Sequence, residues 1–264
     1  MNISGLPDII RAHVGGRALV SDTVGESGSR VFAVGDDMFL KIDGSDSNVK
    51  DEAVMMAWLH GKLPVPEVIE THDDGENFYL LMSKVDGEMA CSEIKLSDPE
   101  GAVRLLAEGI RMFQKIPTAG CPRVRDVDAM LKSALKNIES GDMDDHDWSW
   151  DLTADLDLTT TAAVYDYLVK NAPRDEELVL AHGDFCLPNV MLKDGRVEAF
   201  IDLGYSGISD KWYDIMQCRW SIRYNLRLKE GIFTHEYDAL FFDSLGVTPD
   251  EEKLKYYEIL STLT

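Results

Sequence analysis

The stretch from His182 to Asp214 holds the residues whose types and spacing point most clearly to chemistry. It reads H-G-D-F-C-L-P-N, then two apolar runs around Asp194-Gly195, then I-D-L-G. Asp184 precedes Asn189 by five residues, and Asp202 follows Asn189 by thirteen. Mg²⁺ prefers oxygen ligands and is commonly held by one or two carboxylates together with phosphate oxygens and water. The pattern therefore predicts a Mg²⁺-dependent phosphoryl-transfer site.

Each polar residue of this stretch has an expected role. Asn189 and Asp202 are the predicted metal ligands, and the amide of Asn189 adds no negative charge beside the phosphates. Asp184 is the predicted catalytic base, which orients an acceptor hydroxyl and accepts its proton. His182 is expected to support the loop through hydrogen bonds. The alternative is that these residues only form turns, but the joint spacing corresponds to the H-R-D-x4-N and D-F-G elements of protein kinases.

A second group of candidate residues lies in the first third of the chain. Lys41 ends the apolar run Met38-Phe39-Leu40, where an unpaired lysine would be costly. Glu52 follows on a predicted helix and could hold Lys41 toward the α- and β-phosphates of a nucleotide. The alternatives are a solvent-facing lysine and an acid favoured by the helix N-terminus. Gly25 to Ser29, with Ser27 at its centre, is the predicted loop over the phosphates.

The elements that must position these residues change in kind along the chain. Hairpin signals at Gly35-Asp36-Asp37 and Asp74-Gly75 separate β-rich runs, and Asp51 to Leu63 has the apolar spacing of a helix. After residue 87 helical periodicity dominates, with a third hairpin around Asp194-Gly195. We predict an α+β, protein-kinase-like fold of two lobes. Residues 1–86 would form a nucleotide-binding lobe of antiparallel sheet plus one helix, with a hinge at 83–87. Residues 87–264 would form a mainly α-helical catalytic and substrate-binding lobe, and a cleft between the lobes would take the cofactor.

Composition narrows the classes of partner. The chain has 264 residues, 45% of them hydrophobic, which is enough for a buried core. Its net charge of −22 disfavours nucleic acid and anionic membranes and favours a cationic small molecule, and the alternative is that the charge serves solubility alone. Neither a signal peptide nor a membrane span is predicted, and no protein partner is implied. The four cysteines form no C-x-x-C pair, so we expect reduced thiols and a cytoplasmic location.

The chain resembles the aminoglycoside 3'-phosphotransferases, within the larger family of antibiotic and choline kinases. The resemblance covers nearly the whole length and includes the strings M-M-A-W-L, G-K-L-P-V-P, L-L-M-S, D-K-W-Y-D-I and F-F-D. It implies ATP as donor, with GTP as the alternative, together with Mg²⁺ and direct transfer to a sugar hydroxyl. By the motifs, Asp184 would be the base, Asn189 and Asp202 the metal ligands, and Lys41 a phosphate ligand paired with Glu52. Ser83 to Val85 would be the hinge segment that meets the adenine.

The resemblance also indicates candidate substrate contacts. Residues 141–158 carry seven aspartates and no lysine or arginine, where the family has an acidic loop over its polycationic substrate. Asp151 and Asp155 are the candidates there, although a solvated acidic segment would look the same. The chain departs from the family at Tyr205, where an arginine is usual, and at Tyr224 and Asn225, where close relatives carry two acids.

Three hypotheses follow from these residues. The first is an ATP-dependent phosphotransferase acting on the 3'-hydroxyl of an aminoglycoside and giving resistance to it. The second is a kinase of the same fold for another small hydroxylated cation, such as a basic peptide antibiotic or a metabolite. The third is a nucleotide-binding module without catalysis, which the presence of Asp184 disfavours.

Overall fold

The computed structural model describes residues 5–21, 29–93, 95–141, 156, 158–230 and 235–264. The contacts within these residues divide the chain into two compact units. Unit 1 comprises 1–98 and 188–206, and unit 2 comprises 99–187 and 207–264. The predicted lobes, 1–86 and 87–264 with a hinge at 83–87, were defined by function and not by contacts, so they stay a prediction. Among the described residues, no helix is both long enough and apolar enough to span a bilayer.

The described residues of unit 1 form a five-stranded antiparallel sheet, two α-helices and a small second sheet. The five-stranded sheet has the order β1-β2-β3-β5-β4, and the small sheet has the order β6-β8-β9. The elements are α1 (Asp8–Val14), β1 (Leu19–Ser21), β2 (Arg30–Val34), β3 (Met38–Gly44), α2 (Val49–Leu59), β4 (Val68–Asp73), β5 (Asn77–Ser83), β6 (Glu88–Met89), β8 (Val190–Lys193) and β9 (Arg196–Phe200).

The predicted hairpins of unit 1 are confirmed. β2 pairs with β3 across residues 35–37, and β4 pairs with β5 across residues 74–76. Leu40 and Ile42 of β3 are fully buried in a core that also holds Ile10 and Leu81. The helix predicted over Asp51 to Leu63 is wrong at both ends, because α2 runs from Val49 to Leu59. Gly61 takes a φ of +74°, which a right-handed helix does not allow.

Unit 2 is mainly helical. Its described residues form a two-stranded antiparallel sheet and six α-helices. The elements are α3 (Pro99–Gln114), α4 (Val127–Ser140), α5 (Thr161–Lys170), β7 (Leu178–Ala181), β10 (Gly207–Asp210), α6 (Lys211–Glu230), α7 (His235–Leu245) and α8 (Glu251–Ser261). The prediction of a sheet-rich part followed by a helical part is confirmed, and with it the α+β class.

The core of unit 2 contains a paired charge that the sequence did not reveal. Asp210, at the end of β10, is fully buried and accepts hydrogen bonds from Lys253 Nζ at 3.2 Å and Tyr257 Oη at 3.0 Å. Both donors lie on α8, so the pair joins the last described helix to β10. A buried charge is tolerated only when it is paired and hydrogen-bonded in this way.

Candidate functional site

Two candidate nucleotide-binding residues of unit 1, Lys41 and Glu52, form an ionic cluster with the predicted metal ligand Asp202. Lys41 Nζ lies 2.8 Å from Glu52 Oε2 and 2.9 Å from Asp202 Oδ1. The side chains of Lys41 and Glu52 are almost fully buried, whereas 37% of the Asp202 side chain is exposed. Burial alone would lower the pKa of Lys41, but the two carboxylates outweigh it and hold that pKa above its ordinary value. Lys41 is therefore a fixed cation beside a partly exposed carboxylate.

Glu52 connects the lysine to the segment that carries Asp202. Its carboxylate accepts a hydrogen bond from Lys41 and another from the backbone N–H of Leu203. Burial raises the pKa of Glu52, and the adjacent Lys41 cation opposes that shift. Glu52 therefore fixes the position of Asp202 in two ways, through the shared partner Lys41 and through the backbone of the next residue, Leu203.

The backbone of the I-D-L-G segment explains its residue types. Asp202 has φ +60° and ψ +60°, a left-handed conformation that aspartate tolerates better than most residues. A Cβ on Gly204 would lie 2.9 Å from Asn48 Nδ2 and 3.2 Å from the Asn48 carbonyl oxygen, at the start of α2. A glycine at 204 therefore lets this segment approach the helix that carries Glu52.

The predicted metal ligands lie at the same end of one hairpin. β8 pairs with β9 in antiparallel fashion, and beyond their last pair the N–H of Ile201 donates to the carbonyl of Asn189 at 3.0 Å. Asn189 is buried, and Asp202 follows directly after Ile201. No group of three or more His, Cys, Asp or Glu side chains is poised for a metal among the described residues. One carboxylate and one amide are a donor set for a hard cation that takes its other ligands from phosphate and water.

Asp184 lies in unit 2, on a loop that one helix holds in place. The carboxylate of Asp214 accepts the backbone N–H of His182 at 2.6 Å and that of Gly183 at 2.9 Å. Farther along α6, Ser221 Oγ accepts the backbone N–H of Leu187 at 3.0 Å. Asp214 and Ser221 are seven residues apart and therefore face the same side of the helix. The loop that carries Asp184 is thus anchored before and after it.

Local packing and conformation add to this anchoring. His182 is fully buried, contacts the rings of Phe113 and Phe185, and accepts the N–H of Asp184 at its Nδ1 at 3.3 Å. The expected support of the loop by His182 is therefore present. Gly183 has φ +82°, a conformation that glycine adopts without strain.

The family model that matches this chain is described as the phosphotransferase enzyme family, and it covers residues 23–255. The chain belongs to the phosphotransferase enzyme family. Two of its most similar relatives are aminoglycoside 3'-phosphotransferases from Staphylococcus aureus and Enterococcus faecalis. Each is 40% identical to it, and the match covers 92% of both chains in each case.

A solved structure shows the same fold. The aminoglycoside phosphotransferase APH(3'')-Id of Streptomyces rimosus matches with a TM-score of 0.82 at 24% identity, over 96% of this chain and 95% of that one. A second structure of that enzyme, in complex with ADP and streptomycin, matches with a TM-score of 0.77 at 23% identity, over 96% and 95% of the two chains. The kinase-like fold predicted for this phosphotransferase is confirmed.

The remaining predicted site residues of the phosphotransferase have varied settings. Both the backbone N–H and the hydroxyl of Ser83 bind Glu67, the residue before β4. The N–H donates to the Glu67 carbonyl, and Oγ accepts the Glu67 N–H. Val85 is half-buried beyond the end of β5. Tyr205 is 38% exposed in a short helical turn of unit 1. Ser27, Asp151 and Asp155 lie outside the described residues.

Tyr224 and Asn225, the departures on α6, differ in what they offer a ligand. Tyr224 is 49% exposed and stacks on Trp220, with ring centroids 5.1 Å apart and planes within 9°. Asn225 instead turns toward its own helix and donates to the Ser221 carbonyl at 2.8 Å and to Ser221 Oγ at 3.3 Å. The amide of Asn225 thus supports the residue that anchors the Asp184 loop.

Sequence reasoning missed Asp214 and Ser221 as parts of the site. Both are buried polar residues on α6, and Asn225 follows Ser221 by one helical turn. Polar residues at spacings of seven and four among buried apolar ones would have indicated a polar stripe on an otherwise apolar helix face.

We expect Asp214→Ala to destabilise the phosphotransferase. The substitution leaves two buried amide N–H groups without an acceptor, at a cost of about 1–3 kcal/mol each. Urea unfolding should show the loss, with Asp166→Ala on the exposed face of α5 as the matched control. An Asp214→Ala variant as stable as that control would contradict the anchoring role.

We expect Gly204→Ala to separate the I-D-L-G segment from α2. Because its Cβ would meet Asn48 at 2.9 Å, the segment or the helix start must shift, at a cost of about 1–3 kcal/mol. Thermal unfolding would measure the change. Gly16→Ala is the control, since nothing lies within 4 Å of a Cβ there. Equal melting temperatures for the two variants would show that the close approach is not required.

Proposed function

We propose that this phosphotransferase transfers the γ-phosphoryl group of ATP to the 3'-hydroxyl of an aminoglycoside and so gives resistance to the drug. The observation that carries the proposal is the ionic cluster of Lys41, Glu52 and Asp202, together with the anchored loop of Asp184. Phosphoryl transfer depends on positioning and on electrostatic stabilisation rather than on covalent chemistry. Fixed charges and a fixed loop are therefore the features that this chemistry requires.

The nucleotide would be held by residues of unit 1. Lys41 is a buried cation held in place by Glu52, so it would bind the α- and β-phosphates without a further ordering cost. The Ser83 N–H already donates to the Glu67 carbonyl, and the Lys84 N–H to the Asp37 carbonyl. The backbone of Val85 is then the part of the hinge segment that would meet the adenine. GTP as the donor is the alternative.

Asn189 and Asp202 would hold Mg²⁺. Both present hard oxygen atoms, and Asp202 is partly exposed, so one face of its carboxylate remains open to a ligand. When bound, the metal would neutralise charge on the phosphates. Lys41 holds the other side of the Asp202 carboxylate at 2.9 Å and would orient it for this task.

Asp184 would act as the base. Its carboxylate is only partly buried, on a loop whose backbone is fixed by Asp214 and Ser221. From that position it would orient the acceptor hydroxyl and take its proton as the bond to phosphorus forms. A loop held at both ends limits the movement of the carboxylate between substrate binding and reaction.

The acceptor class rests on similarity and on charge. Relatives 40% identical over 92% of their length are named aminoglycoside 3'-phosphotransferases. The net charge of −22 suits a polycationic substrate, because carboxylates bind ammonium groups through charge-assisted hydrogen bonds. A cytoplasmic location belongs to the same proposal, since the ATP donor is found there.

A substrate screen tests the proposal directly. ADP release coupled to NADH oxidation should rise with kanamycin or neomycin, and ³¹P and ¹H NMR of the product should place the phosphate at the 3' position. An analogue that lacks the 3'-hydroxyl is the matched control and should give only background release. No turnover across a panel of aminoglycosides would rule out this acceptor class.

A kinase for another small hydroxylated cation is the second candidate. The exposed stacked rings of Trp220 and Tyr224, and the commitment of Asn225 to Ser221, favour it. Aromatic faces attract cations without supplying carboxylates. Turnover of a basic peptide antibiotic but not of aminoglycosides would support this candidate, whereas activity confined to drugs with a free 3'-hydroxyl would refute it.

A further inference from the structure

The thiol of Cys186 contacts the proposed base. Cys186 Sγ lies 3.2 Å from Asp184 Oδ1, two residues away on the same loop. An ionised carboxylate can only accept hydrogen bonds, so in this contact the thiol is the donor. The mechanism proposed above gives Cys186 no task, and the contact therefore needs a separate explanation.

The thiol is in a state suited to donation. Burial raises the pKa of Cys186, and the neighbouring Asp184 carboxylate raises it further. The sulfur therefore keeps its proton throughout the neutral range and does not become a thiolate beside the carboxylate. A protonated thiol is a weak donor, but here the acceptor carries a charge.

Ser221 extends the contact back to α6. Its Oγ accepts hydrogen bonds from the Leu187 N–H at 3.0 Å and from Asn225 Nδ2 at 3.3 Å. The Ser221 hydroxyl also acts as a donor to the sulfur of Cys186, which opposes the rise in the pKa of that thiol. Donation therefore runs in one direction, from Asn225 through Ser221 and Cys186 to Asp184. We call these four residues the thiol chain.

We propose that Cys186 is a positioning residue that fixes the rotation of the Asp184 carboxylate, with Ser221 and Asn225 orienting the thiol. Because the S–H group is held at Oδ1, the contact fixes the plane in which the carboxylate meets an acceptor hydroxyl. The inference rests on the proposed function, because it assumes that Asp184 is the base. It also gives Asn225 a role in catalysis that needs no contact with the substrate.

Replacement of the thiol should slow turnover with little effect on substrate binding. We expect Cys186→Ala to lower kcat about three- to tenfold with ATP and kanamycin, and to leave the KM of each unchanged. Cys186→Ser retains a donor and should recover kcat to within about twofold of the wild type. Cys186→Val keeps the bulk of the side chain but has no donor, so its kcat should match that of Cys186→Ala. This should hold even if the smaller alanine side chain lowers the melting temperature.

A double-mutant cycle separates this role from a merely structural one. In the Asp184→Asn background, Cys186→Ala should cause no further loss of kcat, because the thiol acts only through the carboxylate. An equal loss in both backgrounds, or a wild-type kcat for Cys186→Ala and Cys186→Val, would overturn the positioning role and leave the proposed function intact. An Asp184→Asn enzyme that is itself fully active would overturn the base assignment, and the role of Cys186 with it.

Discussion

Asp184→Asn is expected to lower the turnover of the phosphotransferase by about 10²- to 10⁴-fold, the range that a positioned base contributes. Asparagine keeps the shape of the side chain and an oxygen that can accept the Cys186 S–H group. It cannot accept the proton of the acceptor hydroxyl. Because the substitution leaves the proposed nucleotide ligand Lys41 and its partners Glu52 and Asp202 unchanged, nucleotide affinity should be preserved. The substitution thus removes one chemical step and leaves the binding groups in place.

Single-turnover ADP formation and equilibrium nucleotide binding, measured on the same preparation, would test this expectation. Asp166→Asn is the control for a neutralised aspartate in unit 2, since it lies exposed on α5. The base assignment would be wrong if Asp184→Asn kept more than about a tenth of the wild-type turnover. A parallel loss of nucleotide affinity would instead indicate that the substitution disturbs binding.

Much of the fold could be predicted from local pattern. Hairpins are marked by short turn signals, such as Gly35-Asp36-Asp37, between apolar runs, and both features lie within a dozen residues. The helix bounds were less accurate, because the predicted end at Leu63 rested on the prolines that follow it, whereas α2 ends at Leu59, before His60 with ψ 128° and Gly61 with a positive φ. Periodicity indicates which face of a helix is buried, whereas the backbone conformation of single residues decides where it ends.

The candidate site was predictable where the chemistry needs fixed spacings. Asp184 and Asn189 are five residues apart, and Glu52 lies on the helix after the strand of Lys41. The ion pair of Lys41 with Asp202 joins residues 161 apart, so it could be inferred only from a known arrangement. No such arrangement indicated Asp214 or Ser221. Both accept backbone N–H groups of the loop, and these contacts do not depend on which side chains the loop carries.

The reaction can be predicted from the sequence more fully than its acceptor can. Residues that hold phosphate and metal have few chemical solutions, so their types reveal them. A polycation can be held by several surface groups that are exchanged one by one, and Tyr224 on α6, a candidate contact from the resemblance, is an exposed residue of this kind. The acceptor must therefore be identified by measurement, while the metal-dependent step is open to a sharp test by substitution.

Asp202→Asn is the second change with a large expected effect, because it removes the charge that would hold the metal. Replacement even of groups that only orient a metal ligand costs about 10- to 100-fold in metal affinity, so loss of the ligand charge itself should weaken Mg²⁺-nucleotide binding by about 100-fold or more. Lys41 would keep Glu52 as its partner at 2.8 Å and remain a cation. Binding of metal-free nucleotide should therefore be nearly unchanged.

Calorimetric titration of the enzyme with ADP, once in Mg²⁺ and once in EDTA, separates the contribution of the metal to nucleotide binding from that of Lys41. Asp194→Asn is a closely matched control, because Asp194 also has a positive φ, +49°, and lies at the turn of the same β8–β9 hairpin. Wild-type affinity for Mg²⁺-ADP in Asp202→Asn would refute the metal assignment. Equal weakening with and without Mg²⁺ would show that Asp202 acts through the position of Lys41. Since Asp202 touches Lys41 and would also touch the metal, only the difference between the two titrations assigns its role.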